Sequence, residues 1–283
     1  MILPRILTAL VLAPIFLWVL YLGNVPFLAF VFVLILLALW EFHQIAEEGG
    51  YATQGASGIL AGAAVALSMI FPGIRPAVPF PSQATALTVM VALLLLIVRE
   101  MARKDKGLSM LRLAMSMTGI LLIVWPLGYF ALLRELRGNT PSTMNGGLWA
   151  SVFLVALIWT QDTAAYAVGM LFGKHRLAPA ISPKKSWEGA VGGLVGGVLV
   201  SLALRELFMK DLFGRVEILA MAAVLGILAQ MSDLTESLMK RCFGVKDSSA
   251  LLPGHGGVLD RFDSFLLTAP FLYFYMISLG KVG

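Results

Sequence analysis

The chain has 283 residues, 59% of them hydrophobic and 13% charged, with a mean hydropathy of +0.88. Soluble domains are roughly 45–50% apolar and about 25% charged, so this balance excludes a soluble globular enzyme, a disordered chain and a secreted disulfide scaffold. The net charge of +5 is assigned to loops facing anionic lipid rather than to nucleic-acid binding, and Cys242, the single cysteine among three histidines, leaves no internal disulfide and no structural zinc site.

A spanning helix takes ~20 residues. Apolar stretches fall at about 6–22, 25–42, 55–72, 82–99, 114–133, 148–171, 189–208, 216–236 and 263–280. They predict an all-α, polytopic integral membrane protein of about nine transmembrane helices. The first stretch resembles a signal peptide, but no small-x-small cleavage site follows, and it is read as a retained helix. Tyr21-Leu22-Gly23-Asn24 leaves so short a connection that the first two spans must form a tight hairpin. Between spans three and four, Pro72, Pro76, Pro79 and Pro81 predict an extended loop.

With spans alternating in direction, fourteen of the 21 lysines and arginines lie on the N-terminal side, among them Arg99, Arg103, Lys184, Lys185, Lys240 and Arg261. The bias places that side in the cytoplasm. Ionisable groups are scarce in the first five spans and concentrated in the last four. The expected organisation is a helical scaffold over 1–140 and a catalytic half over 141–283, with cytoplasmic loops at 173–189 and 237–263.

Asp162 sits midway along an apolar span, where a carboxylate is costly unless it is paired or faces water. It is read either as part of an interhelical clasp with Gln161 and Thr163 or as lining a polar cavity beside Tyr166. The loop from Gly173 to Gly189 is cationic, restrained by Pro179 and Pro183. Its Gly173-Lys174-His175 is one residue short of a P-loop and lacks the Ser or Thr, so it is not one. Lys184, Lys185 and Ser186 suit anionic phosphate oxygens. Gly189, Gly193 and Gly197, with Gly192 and Gly196, are spaced by four and predict close helix packing.

The densest polar region runs from Ser232 to Asp263. On a helix, Asp233, Glu236 or Ser237, and Lys240 share a face. Cations and acids then alternate into a glycine-rich turn, where backbone N–H groups can approach a ligand. Asp260 and Asp263 open the last span one turn apart. Carboxylates from two helix ends, with no Cys or His cluster, suit a hard divalent cation such as Mg²⁺. Surrounding Lys and Arg suit a polyphosphate, and together they suit phosphoryl or nucleotidyl transfer.

The stretch Ser237 to Asp263, with Lys240-Arg241, Lys246-Asp247, Ser249, Pro253-Gly254-His255-Gly256-Gly257, Asp260-Arg261 and Asp263, resembles the signature of the phosphatidate cytidylyltransferase (CDP-diacylglycerol synthase) family. Asp162–Tyr166, Ser182–Gly189 and Asp233–Ser237 resemble its other blocks. Ser186 stands where the family often has Thr, and Ser232 where it often has Gly. The resemblance implies a Mg²⁺-dependent membrane enzyme of phospholipid biosynthesis, a homodimer in the bacterial inner membrane, with an active site facing the cytoplasm. It implies conversion of CTP and phosphatidic acid to CDP-diacylglycerol and pyrophosphate. It also implies Asp233 and Asp260 as metal ligands, and a monovalent cation such as K⁺ beside the Mg²⁺.

On that reading Asp233, Asp260, Asp263 and Lys240 carry the catalysis. Lys184, Lys185, Ser186, Arg241, Lys246, Asp247, Gly256 and Arg261 line the substrate site, and His255 either hydrogen-bonds pyrophosphate or builds the turn. Asp162 lies in or beside the polar cavity. The rival readings are a CTP-dependent lipid or polyprenol kinase, which would release CDP, and an ion-coupled transporter using Asp162 and Asp233.

Overall fold

A computed structural model describes residues 3–71, 83–138, 140, 143–251 and 256–280. The proline-rich connection from Pro72 to Pro81 and the tetrapeptide Leu252-Pro253-Gly254-His255 lie outside the described residues. In chain order the helices are α1 (Leu3–Leu22), α2 (Asn24–Glu48), α3 (Ala56–Ile70), α4 (Gln83–Ala102), α5 (Ser109–Gly119), α6 (Trp125–Arg134), α7 (Gly146–Phe172), α8 (Trp187–Phe208), α9 (Arg215–Cys242), α10 (Leu259–Phe262) and α11 (Phe265–Ser278).

Each predicted apolar stretch is helical, and the chain is an all-α, polytopic integral membrane protein. Among the described residues, six segments are long and apolar enough to cross a membrane: α2, α4, the continuous Ser109–Arg134, α7, α8 and α9. Leu10–Leu22, Ala56–Ile70 and Phe265–Ser278 are shorter apolar helices, so nine spans stays an expectation from hydropathy.

The chain divides into two compact units, one made of residues up to 132 together with 239–262, the other of 133–238 together with 263 onward. The first unit is organised around α2. Leu28, Val31, Ile35, Ala38, Leu39 and Phe42 recur at intervals of three or four and are buried along one face. Phe27 meets Phe130 edge-on at 5.5 Å, and Phe42 meets Phe243 at 5.9 Å. Only Gly23, at φ +61°, separates α1 from α2, giving the short connection expected there.

Between α5 and α6 lies a π-helical turn, Ile120–Val124, in which the Trp125 N–H bonds to the Ile120 carbonyl. Pro126 follows. Its ring has no N–H to donate and would crowd the carbonyl four residues back, and the wider turn relieves that conflict without ending the span.

The second unit is built on the α7–α8 pair. A Cβ at Gly193 would lie 2.8 Å from the Gln161 carbonyl oxygen, and one at Gly189 2.8 Å from that of Ala165. Gly192 and Gly196 abut Val168 and Ala164. The glycine stripe is therefore a close-packing face, as its spacing predicts. The Gln161 amide donates to the Gly226 carbonyl at 2.7 Å, tying α7 to α9. The loop ahead of α8 is a small antiparallel hairpin, β1 (Arg176–Ala178) with β2 (Ser182–Ser186). Strands were not expected there, but both are edges, where Pro183 is tolerated.

Candidate functional site

The polar residues singled out above fall into two groups, one in each unit, and each group is built by its own neighbours. In the first unit, the last turn of α9 supplies Lys240 and the short helix α10 supplies Asp260. Lys240 Nζ donates to Asp260 Oδ1 at 2.6 Å, and only 11% and 7% of the two side chains are exposed. The other carboxylate oxygen, Oδ2, has three donors within hydrogen-bond distance. They are the Ser248 N–H at 3.0 Å, the Ser248 hydroxyl at 3.0 Å and the Gly257 N–H at 2.7 Å. Burial works against ionisation of Asp260, but the Lys240 ammonium and these donors outweigh it and hold the carboxyl below its ordinary value.

The turn that delivers these donors depends on glycine. Gly256 has φ +81°, a conformation that L side chains rarely adopt. A Cβ at Gly257 would overlap the Ser248 hydroxyl and lie 2.6 Å from Glu41 Oε1. Arg241, Lys246, Asp247 and Arg261 are exposed around this core; the Arg241 guanidinium donates to the Val245 carbonyl at 3.0 Å. His255 and Gly254 lie outside the described residues.

Glu41, near the C-terminal end of α2, was not among the expected site residues. Its carboxylate is completely buried and accepts from the Ser249 hydroxyl (2.6 Å), the Val258 N–H (2.9 Å), the Leu259 N–H (2.8 Å) and the Ser248 hydroxyl (3.2 Å). One signal could have found it: a carboxylate in the apolar run Leu39-Trp40-Glu41-Phe42 is as costly as Asp162 and needs partners for the same reason.

In the second unit, Asp233 of α9 forms an ion pair with Lys185 of β2, and the Ser237 hydroxyl reaches its Oδ1 at 3.4 Å. Asp263 stands in the turn before α11. Its Oδ1 accepts the Ser264 N–H at 2.6 Å, and the Ser232 hydroxyl donates to its carbonyl. The negative charges of Asp233, Glu236 and Asp162 all bear on the Asp263 carboxyl. Two helices, α7 and α9, and the turn before α11 thus bring acids to one neighbourhood, with Lys185 as a counter-charge. Among the described residues, no three His, Cys, Asp or Glu side chains are arranged to hold a metal ion by themselves.

The hairpin that positions Lys185 is held from α8. Glu188 accepts the Lys174 N–H at 3.1 Å, the His175 N–H at 3.2 Å and a bond with His175 Nδ1 at 2.6 Å. The Ser186 hydroxyl is buried and caps α8 by accepting the Gly189 N–H at 3.2 Å. A cap needs only a hydroxyl oxygen, so Ser serves where Thr also would. Lys184 is exposed on the same strand, and Asp162 is exposed on α7.

The model of a family described as "Cytidylyltransferase family" matches residues 3–279. Curated relatives named "Phosphatidate cytidylyltransferase" include one from Staphylococcus haemolyticus (strain JCSC1435). It is 43% identical over 139 residues, covering 49% of this chain and 53% of the relative. A second, from Staphylococcus epidermidis, is 45% identical over 137 residues, covering 48% and 52%. The chain spans about half the length of the curated relatives it matches.

Proposed function

Because the chain belongs to the cytidylyltransferase family, we propose that it transfers the cytidylyl group of CTP to phosphatidate, yielding CDP-diacylglycerol and pyrophosphate for phospholipid synthesis. The observation that carries this reading is the buried Lys240–Asp260 pair with the exposed cations Arg241, Lys246 and Arg261 around it, a cluster suited to phosphate oxygens.

A phosphate oxygen of phosphatidate attacks the α-phosphorus of CTP. The bond from that phosphorus to the oxygen bridging the β-phosphate breaks, and pyrophosphate leaves with the electron pair. A phosphate monoester is largely dianionic near pH 7, its second pKa being about 6, so the attacking oxygen needs no dedicated base. Lys240 offers its ammonium to the charge that develops on the phosphate oxygens. Arg241, Lys246 and Arg261 bind and orient the phosphates, and Lys184 and Lys185 of the hairpin are further cations suited to phosphate oxygens.

No protein cage of three or more ligands is present among the described residues, and Mg²⁺ is commonly bound by one or two carboxylates with substrate phosphates completing its sphere. Asp233 and Asp260 are the acids that the resemblance implies as ligands, with Asp263 as an added acid; within its own unit Asp233 is paired with Lys185 and Asp260 with Lys240, and each pair would have to open to admit an ion. When bound, the ion would neutralise charge on the triphosphate. The reading includes a cytoplasm-facing site, from the distribution of Lys and Arg, and a homodimer.

The test is purified protein in detergent with phosphatidate, Mg²⁺ and CTP labelled at the α-phosphorus. Labelled CDP-diacylglycerol and pyrophosphate in equal amounts are expected. Labelled CDP with a phosphorylated lipid would replace the reading with a kinase, and no CTP-dependent product would refute it.

A further inference from the structure

We infer that Glu41 of α2 is a positioning residue for the transfer reaction, fixing the turn that presents Asp260 and the Ser248 donors. The inference rests on the reading of the Lys240–Asp260 turn as a phosphate-binding site.

Glu41 is fully buried, and among the described residues it has no cationic partner. Among the described residues its donors all lie more than 200 residues further along the chain: Ser248, Ser249, Val258 and Leu259. A buried carboxylate compensated by these donors holds Ser248, Ser249, Val258 and Leu259 in one arrangement, because any other leaves the charge short of donors. Two of the four donors are backbone N–H groups directly ahead of Asp260 or beside it, so they set where the Asp260 side chain starts.

The Ser248 hydroxyl makes the coupling direct. It lies 3.2 Å from Glu41 Oε2 and 3.0 Å from Asp260 Oδ2, and its single proton is shared between the two carboxylates, donated to one at a time. Gly257 packs against both the Ser248 hydroxyl and the Glu41 carboxylate, so no side chain separates them. Glu41 itself makes none of the bonds to Asp260 and acts through Ser248 and the backbone.

The matched variants are Glu41→Gln and Glu41→Asp. In Gln, whichever way the amide turns, an NH₂ faces one of the two backbone N–H groups, while volume is conserved. Asp keeps both acceptor oxygens on a shorter stem. Three readouts are compared: hydrogen exchange in the peptide containing residues 256–262, the thermal unfolding midpoint, and kcat against KM for CTP.

For Glu41→Gln we expect exchange in that peptide to rise about tenfold or more and kcat to fall by a similar factor, with KM changed by less than about threefold. Glu41→Asp should recover part of both. Val65→Ala, in the buried core of the same unit, is the control for general destabilisation. Wild-type exchange and kcat in Glu41→Gln would overturn the inference. So would Val65→Ala reproducing the same kcat loss at an equal drop in midpoint.

Should Glu41→Gln fail to fold, Ser249→Ala decides. It removes the 2.6 Å bond to Glu41 and leaves every Asp260 bond in place, so faster exchange and lower kcat support the role and wild-type values overturn it. If wild-type protein makes no CDP-diacylglycerol, the functional reading fails. The exchange comparison still decides whether Glu41 holds the turn.

Discussion

The Lys240–Asp260 pair can be broken from either end, and the two cuts are not equivalent. Lys240→Met removes the ammonium and keeps the aliphatic stem. Asp260 then loses its counter-charge in a nearly closed setting, but the Ser248 and Gly257 donors remain beside Oδ2. Breaking a buried pair by deleting one partner costs about 3–5 kcal/mol. The surviving donors place this variant at the low end, about 3 kcal/mol.

Asp260→Asn is worse. Its single carbonyl oxygen must take the Ser248 and Gly257 donors, which turns the amide NH₂ toward Lys240 Nζ and leaves a buried cation facing a donor, at about 3–5 kcal/mol. The double variant removes both charges of the pair. It should therefore be less destabilised than the sum of the singles by about 2 kcal/mol or more. Unfolding of the four proteins in one detergent, followed by circular dichroism and by size exclusion, measures the coupling. Strictly additive losses would refute the argument, because they would mean the two charges do not share a buried site. All three variants should also lose turnover, since both groups are assigned to phosphate chemistry.

Other substitutions probe the supports. Gly257→Ala places a Cβ against the Ser248 hydroxyl and Glu41; helical content should persist while turnover falls about tenfold or more, and near-wild-type turnover would mean the turn opens without penalty. Gly193→Leu drives a side chain into the α7 backbone at Gln161 and should cost about 1–3 kcal/mol or more, read as a lower unfolding midpoint; an unchanged midpoint would contradict the close α7–α8 packing. Glu188→Ala frees the N–H groups of Lys174 and His175, so trypsin should cut faster after Lys184 and Lys185, and an unchanged cleavage rate would show the hairpin holds without that staple.

The spans were legible because helical hydropathy is a local property, and each stretch from 6–22 to 263–280 became helix. The glycine stripe was legible because its period is local too. Glu41 was not, because its partners lie from 207 to 218 residues away in sequence, and nothing in Trp40-Glu41-Phe42 names them. The hairpin at 176–186 escaped notice because its strands of three and five residues are too short for alternation to register against the lysines and prolines. The π-helical turn left a trace in Pro126, but a proline predicts a disturbance and not its form. Among the expected substrate residues, Ser186 is occupied as a helix cap, a task that the motif alone does not distinguish from ligand binding.

The Glu41 carboxylate also bears on how such a chain can be dissected. A fragment beginning at α7 would carry every residue of the signature from Ser237 to Asp263, yet its glycine-rich turn would lack the acceptor that holds it. The signature is thus not a portable cassette. Grafted onto another scaffold, it would need a carboxylate supplied from outside itself, at the end of a helix that no inspection of the motif would nominate. Conversely, a separately expressed N-terminal fragment containing α2 could restore order to the turn in trans, which makes complementation between halves a natural way to take this protein apart.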